Sequence, residues 1–170
     1  MPVGTFDFLS SWLPTALLLI NAAAVLAGAL TDLFYRKIPN VHVVIVAFCA
    51  ITYTALFHRD QFLLHMLNFL YVAGVGIVLF RRKVLGGGDV KFIAALALWF
   101  LPQQLGLFVL SVLICGGILG SIYLAMCLLH LFCVKHLPKL RVPEVKADAG
   151  MPYGVATAVG FAFASIRVIL

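Results

Sequence analysis

Long uncharged stretches leave this chain few ways to fold. Phe8 to Thr31, Val41 to Phe57, Gln61 to Phe80 and Gln103 to Val134 contain no Asp, Glu, Lys or Arg, and a last run from Met151 to Leu170 is interrupted only by Arg167. A helix needs ~20 apolar residues to cross the ~30 Å of hydrocarbon in a bilayer, and each of these runs is near that length or above it. Composition points the same way. With 64% hydrophobic and 11% charged residues among 170, the chain has too little polar surface to cover itself in water. The expectation is an all-α integral membrane protein, a bundle of about six transmembrane helices forming a single domain over residues 1–170.

The punctuation between the runs is polar. Pro14 falls early enough to sit in a first helical turn, and Asp32 closes the first run. Tyr35-Arg36-Lys37 and Ile38-Pro39-Asn40 lead into the second run, which His58-Arg59-Asp60 ends. Arg81-Arg82-Lys83 ends the third. The fourth run is shorter: Phe92 to Leu101, before Pro102, would span roughly 15 Å as a helix, about half a bilayer. Either the helix starts further back and draws Asp89 below the headgroups, or a half-helix enters from a re-entrant loop. In both cases Asp89 faces protein or a water-filled cleft. The run from Gln103 to Val134 exceeds one span, and tilt or an extended end would absorb the excess. Its Gly116, Gly117, Gly120 and Ser121 suit close helix contact. Lys135 to Gly150 is the one sizeable polar loop.

The basic residues set the orientation. Arg36, Lys37, Arg81, Arg82, Lys83, Lys91, Lys135, Lys139, Arg141 and Lys146 fall on one side of a six-span arrangement, leaving Arg59 and Arg167 on the other, which accounts for all 12. By the positive-inside rule, both termini lie outside the cytoplasm, and the loops after spans one, three and five lie inside it. The net charge of +6 is therefore explained by topology, and nucleic acid is not expected as a partner. No Lys or Arg precedes the first run and no small-residue cleavage signature follows it, so the run reads as a retained span. Cys49, Cys115, Cys127 and Cys133 all lie in apolar stretches without a C-x-x-C pair, and read as small buried hydrophobes.

This topology brings Asp32 and Asp89 to the same cytoplasmic edge. A carboxylate is costly beside a bilayer, which makes each a functional candidate. Two facing carboxylates share a proton, so one can act as base toward water while the other donates to a carbonyl oxygen. A plainer reading stays open, in which Asp32 pairs with Arg36 at i+4 and Asp89 caps the fourth helix. Gly86-Gly87-Gly88, just before Asp89, is either a hinge or a place where a substrate backbone comes close and positive φ is allowed.

The motifs resemble a known family. Gly86-Gly87-Gly88-Asp89 matches a G-x-G-D signature, and with Val90-Lys91 it is similar to that of the type IV prepilin peptidases, membrane aspartic proteases. Asp32, followed by Arg36-Lys37-Ile38-Pro39-Asn40, resembles the family's aspartate leading into R-x-I-P-N. Met151-Pro152-Tyr153-Gly154-Val155-Ala156 resembles its P-Y-G-x-A element. The resemblance implies that Asp32 and Asp89 are catalytic, with Gly86, Gly87, Gly88, Lys91, Pro152, Tyr153 and Gly154 forming the substrate cleft. It implies cleavage of the basic leader of a prepilin or pseudopilin at the cytoplasmic face of the bacterial inner membrane, beside the pilus assembly machinery. It implies no metal and no cofactor. Larger members carry a cysteine-paired cytoplasmic insert and also methylate the trimmed pilin. This chain has neither insert nor cysteine pair, and so resembles the short form of Flp-type, tight-adherence pilus systems, without methyltransferase activity.

Other features keep two readings. Lys91 either orients substrate or snorkels to the interface. Pro152-Tyr153-Gly154 either shapes the cleft or simply starts the last helix. His65 and Asn68 share a face of the third span and read as interhelical hydrogen-bond partners. His42, His58, His130 and His136 show no metal-ligand spacing. A proton-coupled carrier would also use intramembrane aspartates, but it would more often show repeated halves around a midplane site. A non-catalytic pilus assembly scaffold would have little use for two carboxylates at this depth.

Overall fold

A computed structural model describes residues 3–136 and 152–169, with side chains over 12–130 and 152–167. The expected polar loop falls, from residue 137 on, outside the described residues, as do Met151 and the side chain of Cys133. Among the described residues there are six α-helices: α1 (Val3–Tyr35), α2 (Asn40–Phe57), α3 (Phe62–Arg81), α4 (Gly87–Ala97), α5 (Pro102–His136) and α6 (Tyr153–Ile169). A 3-10 turn over Arg59–Gln61 precedes α3. Among the described residues, four stretches are long and apolar enough to cross a membrane: Trp12–Tyr35, Asn40–Phe57, Arg59–Arg81 and Pro102–His130. The chain is thus a multi-pass, all-helical membrane protein.

The distribution of side chains is that of a bundle in lipid. Large apolar residues such as Leu19, Phe48, Leu63 and Leu129 point outward, while Asn21, Asp32, Thr54, His65, Asn68, Ser111 and Thr157 are buried. Lipid tails are as apolar as leucine, so burying leucine gains little, and interior positions go to small and hydrogen-bonding residues instead. Glycine at position 160 lets α6 approach α5. A Cβ built there would lie 2.8 Å from the backbone of Val112, which cannot move aside cheaply. At the α3–α4 contact, a Cβ on Gly76 would lie 2.5 Å from Cγ1 of Val90.

The short fourth helix is the centre of the bundle. α4 has 11 residues, about 16 Å at 1.5 Å per residue, short of the ~30 Å of a bilayer core. The helix starts further back than Phe92, as one of the two expected arrangements requires, with Gly87, Gly88 and Asp89 forming its first turn. Phe92, Ala94, Ala95, Leu96, Ala97, Leu98 and Phe100 are all buried.

Ending a helix at this depth leaves carbonyls without partners, and in hydrocarbon no water can supply them. α3 supplies them. His65 Nδ1 lies 2.8 Å from the Leu98 carbonyl oxygen, and Asn68 Nδ2 donates to the Phe100 oxygen at 2.6 Å. The interhelical role expected for these two residues is the one observed. On the other side of the break, Gln104 Oε1 accepts the Leu101 N–H at 3.1 Å, a third-position side chain reaching back to the residue before the helix. Asn68→Leu would leave the Phe100 carbonyl unpaired. It is expected to destabilise the detergent-solubilised protein by ~1–2 kcal/mol, read as a lower Tm. An unchanged Tm would show that this bond does not hold the break.

Candidate active site

Both candidate aspartates sit at helix ends, and the local chain explains why. α1 ends with Arg36 in the left-handed region (φ 54), its N–H donating to the Asp32 carbonyl at 2.9 Å. This one-bond termination satisfies an orphan carbonyl and turns the chain sharply after Tyr35. α3 ends likewise. Lys83 has φ 59, its N–H bonds the Phe80 carbonyl at 2.9 Å, and the Val84 N–H bonds that of Leu79 at 3.0 Å. That pair of bonds is a Schellman termination, usually built on glycine. It reverses the chain so that Gly86-Gly87-Gly88-Asp89 follows at once at the same end of the bundle.

Asp89 is the third residue of α4. Its carboxylate accepts the N–H of Gly86, the residue before the helix, and its own N–H. The first glycine is required by this contact, since a Cβ on Gly86 would stand 2.6 Å from Oδ2 of Asp89. The second faces the Phe80 ring and the third faces Ile38. No described glycine has a positive φ, and Gly86 itself has φ −71. The expectation of positive φ at this triplet is therefore corrected: the missing side chains serve close packing, and the left-handed positions fall on Arg36 and Lys83.

Asp32, 5% exposed, is held from across the chain. Its Oδ2 accepts the N–H of Gly154 at 2.7 Å, in the first turn of α6. A helix N-terminus offers unpaired N–H groups and a positive dipole end, both of which favour an anion. The contact depends on glycine. A Cβ on Gly154 would lie 2.9 Å from Cβ of Asp32 and 3.1 Å from Cδ1 of Ile38. Ile38 thus packs against both Gly88 and Gly154, joining the three motifs. Pro152 is buried just before α6. Lys91 does not line the cleft; its Nζ donates to Asn40 Oδ1 at 3.3 Å on an exposed face.

Asp32 and Asp89 open onto one cavity of about 730 Å³, lined also by Arg36, Phe80, Arg81, Lys83, Val84, Leu85, Gly86 and Tyr153. Asp89 lies outside the four stretches long enough to cross a membrane and lines the cavity at this end of the bundle. Burial pushes its carboxyl up to about 6, the negative charge of Asp32 adds to the rise, and the N–H groups of Gly86 and Asp89 oppose it. The charge of Arg36 bears on Asp32, and its guanidinium lies 5.7 Å from the centre of the Tyr123 ring. Asp32 thus feels the charge of Arg36, and Asp89 reaches back from the first turn of α4 to the Gly86 N–H.

Phe80, Arg81, Lys83, Val84 and Leu85 were not among the site residues expected from sequence. Their Arg-Arg-Lys run reads as ordinary loop charge, and the only further signal was its adjacency to the glycines.

Fold and site together define a multi-pass helical membrane protein with two acidic side chains converging in a cleft at one end of the bundle. A family model described as the type IV leader peptidase family matches residues 11–121, a stretch that contains both aspartates. The chain belongs to that family, and it is a leader peptidase. Neither the curated proteins nor the solved structures compared with it gave a match.

Proposed function

We propose that the chain is an aspartic endopeptidase, one peptidase domain over residues 1–170, that removes the basic leader of Flp-type prepilins at the cytoplasmic face of the bacterial inner membrane. The carrying observation is the convergence of Asp32 and Asp89 in one water-accessible cavity, with the charge of one raising the proton affinity of the other. Of the two, Asp32 is assigned the base, because the Gly154 N–H at the α6 N-terminus and the charge of Arg36 both favour its anionic form. Asp89 keeps the proton. In the reaction, Asp32 takes a proton from water as the water oxygen bonds to the scissile carbonyl carbon, and Asp89 gives its proton to the carbonyl oxygen. Collapse of the tetrahedral diol returns that proton to Asp89 and delivers the one on Asp32 to the leaving amine, breaking the C–N bond. Gly86, Gly87 and Gly88 shape the acidic side of the cleft, Pro152 and Gly154 fix the α6 terminus, and Lys91 acts at a distance by tying α4 to Asn40.

The excess of basic residues in the loops at the aspartate end supports a cytoplasmic cleft and outward-facing termini. The substrate is a prepilin or pseudopilin, presented by the pilus assembly machinery within the bilayer. The absence of a C-x-x-C pair supports the short form without methyl transfer.

A mechanism with one shared proton has a pH signature. With Asp89 at about 6, cleavage is expected to fall above that pH, as the pair loses its last proton. The check is the initial rate of leader removal in proteoliposomes at a series of pH values. A rate that stays flat far into the alkaline range would contradict it.

A further inference from the structure

A second cavity adjoins the first. It is lined by Val75, Gly76 and Leu79 of α3, Val90 and Ile93 of α4, and Val112 and Leu113 of α5, among others, and its volume is about 170 Å³. Almost nothing polar lines it. α3 packs chiefly on α4, and α5 on α6, so that α3 and α5 touch each other little and α4 forms the floor between them. Exposed apolar surface is ordinary in a membrane protein and by itself says nothing. What singles out this groove is that Leu85 and Tyr153 line both cavities, so the groove runs directly into the cleft that holds Asp89.

Parts of the surroundings of the carboxylates are packed. Gly154 and α6 cover Asp32, Ile38 sits over Gly88 and Gly154, and Phe80 lies against Gly87. The groove follows α3 toward its Arg81 end, where Arg81 and Lys83 line the cleft. An apolar helix lying in it antiparallel to α3, with its N-terminus at the Arg81 end, would end over Asp89. A peptide bond just beyond that end would enter the cavity in extended form. An acyl chain would satisfy the groove but has no reason to stop at a carboxylate.

We infer that the α3–α5 groove is the docking site for the apolar helix that follows the cleaved bond of the substrate, with Tyr153 as the positioning residue between groove and cleft. Tyr153 is held for this by α5: a Cβ on Gly116 would stand 2.6 Å from the tyrosine hydroxyl oxygen, so only glycine leaves the ring its place. The inference rests on the leader-peptidase reading of the cleft.

The test uses the full chain in proteoliposomes with an Flp-type prepilin. Val75 and Leu113 are exposed at the groove edge, so bulk is tolerated there without repacking the core. Val75→Trp and Leu113→Trp are expected to raise KM for the prepilin by roughly tenfold or more, each filling a subsite worth ~1–3 kcal/mol. Val78→Trp and Leu110→Trp, exposed on the same helices but outside the groove, are the controls and are expected to cleave as wild type does. Benzoylphenylalanine at position 75 or 113 in an Asp32→Asn background should crosslink to the apolar segment of the prepilin. Groove variants that cleave with wild-type KM, or a crosslinker that captures only lipid, would overturn the docking site while leaving the protease reading intact. Failure of the wild type to cleave any prepilin would instead remove the reading on which the inference stands.

Discussion

Asp89→Asn is expected to slow leader removal by roughly a thousandfold, and Asp32→Asn by a similar factor, with both variants folded and inserted. Asparagine keeps the shape of each side chain and its backbone contacts. At position 89 it still accepts the Gly86 N–H, and at 32 it still accepts the Gly154 N–H at the start of α6. What it loses is the proton that must go to the carbonyl oxygen, or the base that must take one from water. Binding of the prepilin should survive in both variants, so KM is expected to move less than kcat. A variant that unfolds would be uninformative about chemistry, and the retained hydrogen bonds are the reason to expect otherwise. Processing at the wild-type rate by either variant would remove that residue from the mechanism.

Gly154→Ala carries the second large effect. The added methyl group would stand 2.9 Å from Cβ of Asp32 and 3.0 Å from its Oδ2, closer than side chains pack, with Ile38 Cδ1 at 3.1 Å on the far side. The Ile38 Cδ1 end can give way, but Cβ of Asp32 at 2.9 Å is the first atom of its side chain and moves only with the whole group. Asp32 must shift and its bond to the Gly154 N–H must lengthen. A displacement of about 1 Å in a reacting group costs on the order of 10²-fold in rate. The expected result is a kcat lower by about that factor, with secondary structure and detergent-phase size unchanged. An alanine variant that cleaves normally would show that Asp32 does not depend on the α6 terminus for its position.

How much of this was legible beforehand follows from the physics of each feature. The spans were readable because hydrocarbon demands long uncharged runs, and α2, α3 and α5 begin and end within a residue or two of theirs. The break before α5 was readable from Pro102. The convergence of Asp32 and Asp89 was readable from topology, since alternate crossings return loops to one side. Helix ends were harder. The turns after α1 and α3 rest on Arg36 and Lys83 in a conformation that normally announces itself with glycine, so sequence gave no warning of either. For the glycines only the positive φ fails, because a missing Cβ permits both positive φ and close approach, and only packing distinguishes them. Ile38 was legible only as a motif position, within Arg36-Lys37-Ile38-Pro39-Asn40. Its place between Gly88 and Gly154 depends on three segments distant in sequence, as does the gap between α3 and α5.

The account stands on Asp32 and Asp89 acting as one unit, and the most direct test is a rate cycle on prepilin cleavage in proteoliposomes. Wild type, Asp32→Asn, Asp89→Asn and the double replacement would be compared at one pH, with insertion checked for each. Two groups that share a proton in a single step fail together, so the double variant should be no slower than either single one. A double variant slowed by the product of the two single effects, or a single variant that still processes the prepilin at an appreciable rate, would mean that the carboxylates act separately and that the shared-proton mechanism is wrong.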